Sequence, residues 1–175
     1  MKSIPLRPNS AKSTLGTQSS AGHVLILNDI RSAQNVGSLF RTADAVGIKE
    51  IYLVGITPTP LDKFGRPVGA IAKTALGAES TIVWKHVATI APLLTRLKKE
   101  GYTTVAIEQS DTSIDYKKVV ITGPTAFILG NEVEGISKAV LGKMDVVAEI
   151  PMNGEKESLN VSVAGGVALF RMLNR

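Results

Sequence analysis

Residues 23–46 read HVLIL-NDIRSAQN-VGSLFRTADAV: an unbroken apolar run, a polar loop, then apolar residues at helical spacing. The run over 23–27 has the length and composition of a strand buried on both faces. Val36, Leu39, Phe40, Ala43 and Val46 fall on one face of a helix over 36–46. A buried strand feeding an amphipathic helix is the first half of a βαβ unit, and the rest of the chain continues the alternation. Strands are expected at 50–54 (closed by Gly55), 81–84, 103–107, 125–129 and 146–150. Helices are expected at 87–100, near 137–141 and at 160–173. The longest connection, 56–80, holds a short helical pattern around 70–76, and connections of that length are commonly functional. The pattern predicts an α/β fold with a mostly parallel sheet and helices on both faces. Such sheets bind ligands beyond the carboxyl ends of their strands, which directs attention to the loops after Leu27, Leu129 and Ile150.

The bulk numbers narrow the function classes. A length of 175 residues fits one domain, here taken as 23–175, preceded by a Ser-, Thr-, Pro- and Lys-rich stretch over 1–22 that reads as a mobile basic arm. There is no cysteine, so disulfides and thiolate metal sites are excluded. His23 and His86 are the only histidines and lie far apart, so no metal site is expected. No apolar run reaches the ~18 residues of a membrane span, and no apolar stretch follows Lys2 and Arg7 as a signal peptide requires. A cytoplasmic protein is the resulting expectation. A net charge of +5 with a pI near 9.5 suits a polyanion such as RNA, although a solvated basic surface accounts for it equally well.

Each loop carries polar residues where a ligand would sit. In the first, Asn35 is a candidate N-cap, Gly37 permits close approach, and Arg41 offers a planar donor fork for phosphate or carboxylate. An arginine held in an intramolecular ion pair is the plain alternative. The second, LGNEVEGIS over 129–137, imitates the opening of a phosphate-binding P-loop, but Ile136 stands where the lysine belongs. No strand is followed by G-x-G-x-x-G, so an ordinary dinucleotide site is unsupported. The third loop, IPMNGEKESLNVSVA over 150–164, offers Ser158 or Asn160 as cap of the last helix. Gly165 and Gly166 inside that helix point to close packing that offsets their cost of about 1 kcal/mol each against alanine.

Taken in order and spacing, these segments resemble the three motifs of the SpoU (TrmH-like) family within the SPOUT superfamily of RNA methyltransferases. Asn35, Gly37 and Arg41-Thr42-Ala43 resemble the first motif. Leu129-Gly130-Asn131-Glu132 with Gly135-Ile136 resembles the second, and Ile150-Pro151-Met152 with Ser158-Leu159-Asn160-Val161-Ser162-Val163-Ala164 the third. The resemblance covers roughly residue 24 to the C-terminus. It implies a SPOUT-type fold with a C-terminal trefoil knot, a homodimer with active sites near the subunit interface, and S-adenosyl-L-methionine (SAM) as cofactor. By the same resemblance, Leu129, Gly130, Ile150, Met152 and Leu159 hold the cofactor, with Gln109 a further candidate.

The implied reaction is methyl transfer to a ribose 2′-hydroxyl of tRNA or rRNA. Arg41 is then central, either as the base acting on a hydroxyl oriented by an RNA phosphate or, since arginine is normally protonated, as the group stabilising the developing alkoxide. Asn35 would hold Arg41 or the ribose, Glu132 would order the motif network, and Ser158 and Asn160 would complete the site. Arg31, Arg41 and Lys73 are the leading RNA contacts, with Lys2, Arg7, Lys12, Lys63 and Arg66 as further phosphate candidates. Many relatives carry an extra N-terminal RNA-binding domain or a basic C-terminal helix, so RNA selection is expected from the catalytic domain, its dimer and the arm. A DNA partner is not expected. Two alternatives stay open: a non-catalytic RNA-binding or ribosome-assembly module on the same fold, and a SPOUT base methyltransferase.

Overall fold

The computed structural model describes residues 22–175; the arm expected over 1–22, with Lys2, Arg7 and Lys12, lies outside the described residues apart from Gly22. The elements run β1 (Val24–Asn28), α1 (Ala33–Val46), β2 (Glu50–Val54), α2 (Gly69–Ala75), α3 (Ala78–Thr81), β3 (Val83–Val87), α4 (Ile90–Lys99), β4 (Thr103–Ile107) and β5 (Ile114–Asp115). A single 3₁₀ turn (Tyr116–Lys118) leads to β6 (Thr125–Leu129), α5 (Lys138–Leu141), β7 (Val146–Glu149) and α6 (Val161–Met172). All seven strands join one sheet in the order β3-β2-β1-β6-β4-β7-β5, and every pairing is parallel.

Both faces of the sheet are covered, as the continuous apolar runs require. Leu25, Leu27, Ile51, Leu53, Phe127 and Leu129 bury against Val36, Leu39, Phe40 and Ala43 of α1 and against Ala168 and Leu169 of α6. Their strand neighbours Val24, Ile26, Tyr52, Val54, Ala126 and Ile128 bury against Leu93, Leu94 and Leu97 of α4 on the other side. Because the strands are parallel, the loops after β1, β4, β6 and β7 all leave from one edge. That edge includes the β1–β6 junction, where the strand order reverses direction in the sequence.

Three local expectations need correction. The strand expected over 81–84 is split: Thr81 ends α3, and β3 runs over 83–87 instead. Strand β3 is an edge strand with Val83, Lys85 and His86 exposed, so its pairing with β2 rather than any apolar run makes it a strand. In consequence the helix expected over 87–100 opens only at Ile90, after Thr89. Asn35 does not cap α1. Ser32 does, its Oγ accepting from the Asn35 N–H at 3.3 Å, so Asn35 sits in the first turn with its side chain released for other work. At the far end Gly47 takes a left-handed φ of 79°, the conformation that ends a helix at low cost in glycine.

Two glycines set helix approach. A Cβ on Gly37 would collide with Thr74 Oγ1 and the Ile71 carbonyl, so α1 and α2 touch there backbone to backbone. A Cβ on Gly165 would lie 2.6 Å from Leu39 and 2.8 Å from Leu129, which seats α6 against α1 and β6. Gly166 is different: a Cβ there would meet nothing within 4 Å, so close packing does not explain it.

Candidate active site

The site is built around the Glu132 carboxylate in the loop after β6. One oxygen accepts from the Arg31 N–H at 2.9 Å, and the other accepts from the Ser32 N–H at 3.1 Å and from Asn35 Nδ2 at 3.0 Å. Ionised carboxylates suit this role because they accept without needing to donate. Burial works against the charge, but the Arg31 N–H, the Asn35 amide and the Ser32 N–H outweigh it. The net effect holds the group below the ordinary glutamate value.

Asn35 also accepts at Oδ1 from Asn160 Nδ2 at 3.2 Å. Asn160 in turn caps α6, its Oδ1 accepting from the Ser162 N–H at 2.9 Å and from the Ser162 hydroxyl at 2.7 Å. Glu132, Asn35 and Asn160 therefore tie together the loops after β6, β1 and β7, although these residues lie far apart in sequence.

Beside this network the same edge opens into adjoining cavities. One, of about 210 Å³, is lined by Ile107, Leu129, Gly130, Glu132, Ser158, Leu159 and Asn160 among others. It shares Ile107, Ser158 and Leu159 with a narrower cavity of about 80 Å³ that adds Gln109, Ile150 and Met152. That one in turn shares Gln109, Ile150 and Met152 with a more open cavity of about 470 Å³ over the 149–157 segment. All six residues expected to hold the cofactor thus line the first two of these adjoining cavities, which together form one cleft. Its wall joins the apolar surface of Ile107, Leu129, Ile150, Met152 and Leu159 to loop backbone, a lining suited to an adenosine ring held by main-chain groups. Gln109 spans the cleft, its Nε2 donating to the Glu157 carbonyl at 2.6 Å.

Not every expected residue joins this arrangement. Arg41 is exposed on α1 and makes no hydrogen bond or ion pair among the described residues, so the intramolecular pair that would make it merely structural is absent. The Asn35 amide is engaged by Glu132 and Asn160 rather than by Arg41. Lys73 is exposed on α2. The Ser158 side chain lines the cleft with no hydrogen bond of its own. Arg31 contributes its backbone N–H to Glu132 and also lines a larger cavity of about 640 Å³ beyond β1, β2 and β3, which shares Asn131, Val133 and Gly135 with the 210 Å³ one.

Comparison with known proteins decides the family. The family model described as the SpoU rRNA methylase family matches residues 22–170. The chain belongs to the SpoU methylase family. The tRNA (guanosine(18)-2′-O)-methyltransferase of Escherichia coli K12 is 33% identical over 144 residues, covering 82% of this chain and 59% of that protein. A 23S rRNA (guanosine-2′-O-)-methyltransferase of Pseudomonas syringae pv. tomato is 32% identical over 152 residues, 87% of this chain and 58% of the relative. The chain therefore spans somewhat less than two thirds of these curated relatives. Among solved structures, the A. aeolicus TrmH/SpoU tRNA modifying enzyme superposes with a TM-score of 0.75 at 27% identity, covering 90% of this chain and 76% of that one. The AdoMet-bound rRNA methyltransferase of Sinorhizobium meliloti gives 0.78 at 26% identity, covering 89% and 57%.

In this SpoU chain the motif loops also depend on Asp29 and Glu108, which the sequence did not single out, and on Asn131, a residue of the second motif to which the sequence assigned no role. Asn131 donates to the Asp29 carbonyl at 2.9 Å and accepts from the Val133 and Glu134 N–H groups, folding the 131–135 turn. Glu108 accepts from the Gln109 and Ile136 N–H groups, fastening the loop after β4 to that turn. Asp29, at a left-handed φ of 56° unusual outside glycine, accepts from the Ile56 N–H and from Asn28 Nδ2. The only sequence signal for Asp29 and Glu108 was an acidic residue at or just beyond a strand end, which is too common to single out.

Proposed function

We propose that this chain is a SAM-dependent RNA methyltransferase that transfers a methyl group to a ribose 2′-hydroxyl of tRNA or rRNA. The observation that carries the proposal is the Glu132–Asn35–Asn160 network, which brings all three motif loops to the rim of one cleft lined by the expected cofactor residues. The names of the relatives support the same chemistry, since both are described as guanosine 2′-O-methyltransferases.

Bound in the cleft, SAM supplies an electrophilic methyl on a sulfonium sulfur. Leu129, Gly130, Ile150, Met152 and Leu159 would hold it, with Gln109 a further contact. The chain must then place a weak nucleophile in line with that methyl and deal with its proton. Arg41, exposed and with no side-chain partner among the described residues, can meet the ribose and an adjoining phosphate. Its guanidinium stabilises negative charge developing on the 2′-oxygen and orients the adjoining phosphate, and the hydroxyl proton passes to that phosphate and on to solvent water. Asn35, Asn160 and Ser158 line the approach to the reacting oxygen. Glu132 acts through them by fixing the Arg31–Asn35 backbone.

The working form is proposed to be a homodimer, with the loops after β6 and β7 in the knotted arrangement of the SPOUT superfamily. Val163, Val167 and Phe170 are 50%, 39% and 40% exposed along the outer side of α6, a row of apolar side chains that solvent alone does not account for. Arg31 and Lys73 are assigned to RNA phosphates, and the site of action to the cytoplasm. No helix among the described residues is long and apolar enough to cross a membrane.

The direct test is incubation of the purified chain with labelled SAM and cellular RNA, followed by nuclease digestion and nucleoside mass spectrometry. A labelled 2′-O-methylnucleoside is the expected product. Label on a base, or no transfer despite SAM binding, overturns the proposal.

A further inference from the structure

The connection from β2 to α2 ends in a tip that the reaction described above does not use. Phe64 stands at its apex with 68% of its surface exposed, an expensive position for a large aromatic ring. Two cations flank the ring: Lys63 Nζ lies 5.0 Å and the Arg66 guanidinium carbon 4.9 Å from its centroid. Both distances are within cation–π range.

The tip is ordered in detail. Asp62 accepts at Oδ1 from the Phe64 and Arg66 N–H groups at 2.8 and 3.0 Å. Its Oδ2 receives the Arg66 guanidinium through Nε at 2.8 Å and Nη2 at 2.7 Å. Gly65, at a φ of 75°, makes the turn, and Leu61 bridges Pro67 across it. Lys63 has no acidic partner among the described residues.

The root of this connection is tied to the candidate active site. Thr57 is buried, and its Oγ1 accepts from the Ile30 N–H at 3.0 Å, next to the Arg31 N–H that Glu132 holds. Phe64 lies seven residues beyond Thr57, a reach of at most ~25 Å at the ~3.6 Å per residue of an extended chain. Whatever Phe64 meets therefore lies within ~25 Å of this root, a span of a few nucleotides of RNA.

We infer that Phe64, flanked by Lys63 and Arg66, is a stacking platform for an unpaired nucleobase of the substrate RNA near the methylated nucleotide. An exposed aromatic ring with cations close by is the combination that single-stranded nucleic acid recognises. Lys63, which lies over the ring with no acidic partner among the described residues, swings off it to a phosphate and leaves a face on which a base can stack, while Arg66 stays with Asp62. Because Asp62 and Gly65 already fix the turn, little conformational freedom is lost on contact. The inference rests on the RNA-methyltransferase reading and adds a requirement for unpaired structure around the target.

The test compares the full chain with Phe64→Ala and Phe64→Trp for binding to unmodified tRNA transcripts and to a blunt RNA duplex. SAM binding and sedimentation are measured on each protein. Loss of a base stack should weaken transcript binding about five- to a hundredfold in Phe64→Ala. Phe64→Trp should restore it, while duplex binding and SAM binding stay close to those of the parent. Lys63→Ala should instead flatten the dependence of transcript binding on salt by about one unit of slope. Equal transcript affinity of the parent and Phe64→Ala overturns the inference and leaves the methyltransferase reading standing. So does a change of oligomeric state in Phe64→Ala, which would assign the ring to a second copy of the chain. A parent that binds SAM but no RNA overturns both.

Discussion

At the scale of single residues, a carboxylate that accepts three N–H groups from one neighbouring segment is hard to replace even by its own isostere. The amide of glutamine turns a donor toward at least one of the donors that Glu132 now accepts. Glu132→Gln should therefore loosen the Arg31–Asn35 segment while leaving the sheet intact. Because small misplacements of reacting groups are costly, turnover on RNA should fall on the order of a hundredfold with SAM affinity little changed. Steady-state kinetics beside calorimetric SAM binding would show this, and normal turnover would remove Glu132 from the positioning role. The residues of this network were legible in the sequence because they fall in three motifs with fixed order. Their bonds were not: Asn35 read as a helix cap, a role that Ser32 fills, and the bond that Asn160 donates to Asn35 joins residues 125 positions apart in the sequence. Asp29 and Glu108 were invisible because polar residues at strand ends are ordinary until the fold brings their partners, and Asn131 was visible as a motif residue but not in its bonds to Asp29, Val133 and Glu134.

At the scale of elements, α6 shows what local sequence can and cannot say. Its extent and the tight packing of Gly165 follow from the pattern over 160–173, which left the cap open between Ser158 and Asn160; the structure gives it to Asn160, and a Cβ on Gly166 would meet nothing within 4 Å. The outer row of Val163, Val167 and Phe170 could not be told from the inner face, because the helix is apolar nearly all round. If that row is the subunit contact, Val167→Asp should turn a dimer into a monomer in sedimentation experiments and lower turnover. A variant that stays dimeric with full activity would place the interface elsewhere. Edge elements were the least legible. Strand β3 exists through its pairing with β2, and the two-residue β5 is too short to leave a periodic signal.

At the scale of the whole molecule, alternation disclosed the parallel α/β architecture, but strand order stayed hidden because pairings such as β1 with β6 join segments about a hundred residues apart. Global stability should carry one mark of that assembly. Burial, reinforced by the nearby Arg175 charge, holds the His23 imidazole below its ordinary value of 6.5. Its Nδ1 is buried without a hydrogen-bond partner. The unfolded chain takes up a proton there at higher pH than the folded one. This contribution is therefore complete above about pH 6.5 and drains away as pH falls toward the lower folded value. Denaturant melts should show stability declining over that window, and His23→Phe, which keeps a ring against Phe127, should flatten the decline. An unchanged pH profile in that variant would assign the decline to other groups. The account as a whole turns on Arg41 acting in ribose methylation without holding the cofactor. Labelled methyl transfer to RNA, run for the parent and Arg41→Ala beside calorimetric SAM binding, tests it most directly. The account predicts a 2′-O-methylnucleoside from the parent, its loss by about a thousandfold or more in Arg41→Ala, on the scale of removing a preorganised transition-state donor, and unchanged SAM affinity. Near-normal ribose methylation by Arg41→Ala would contradict it.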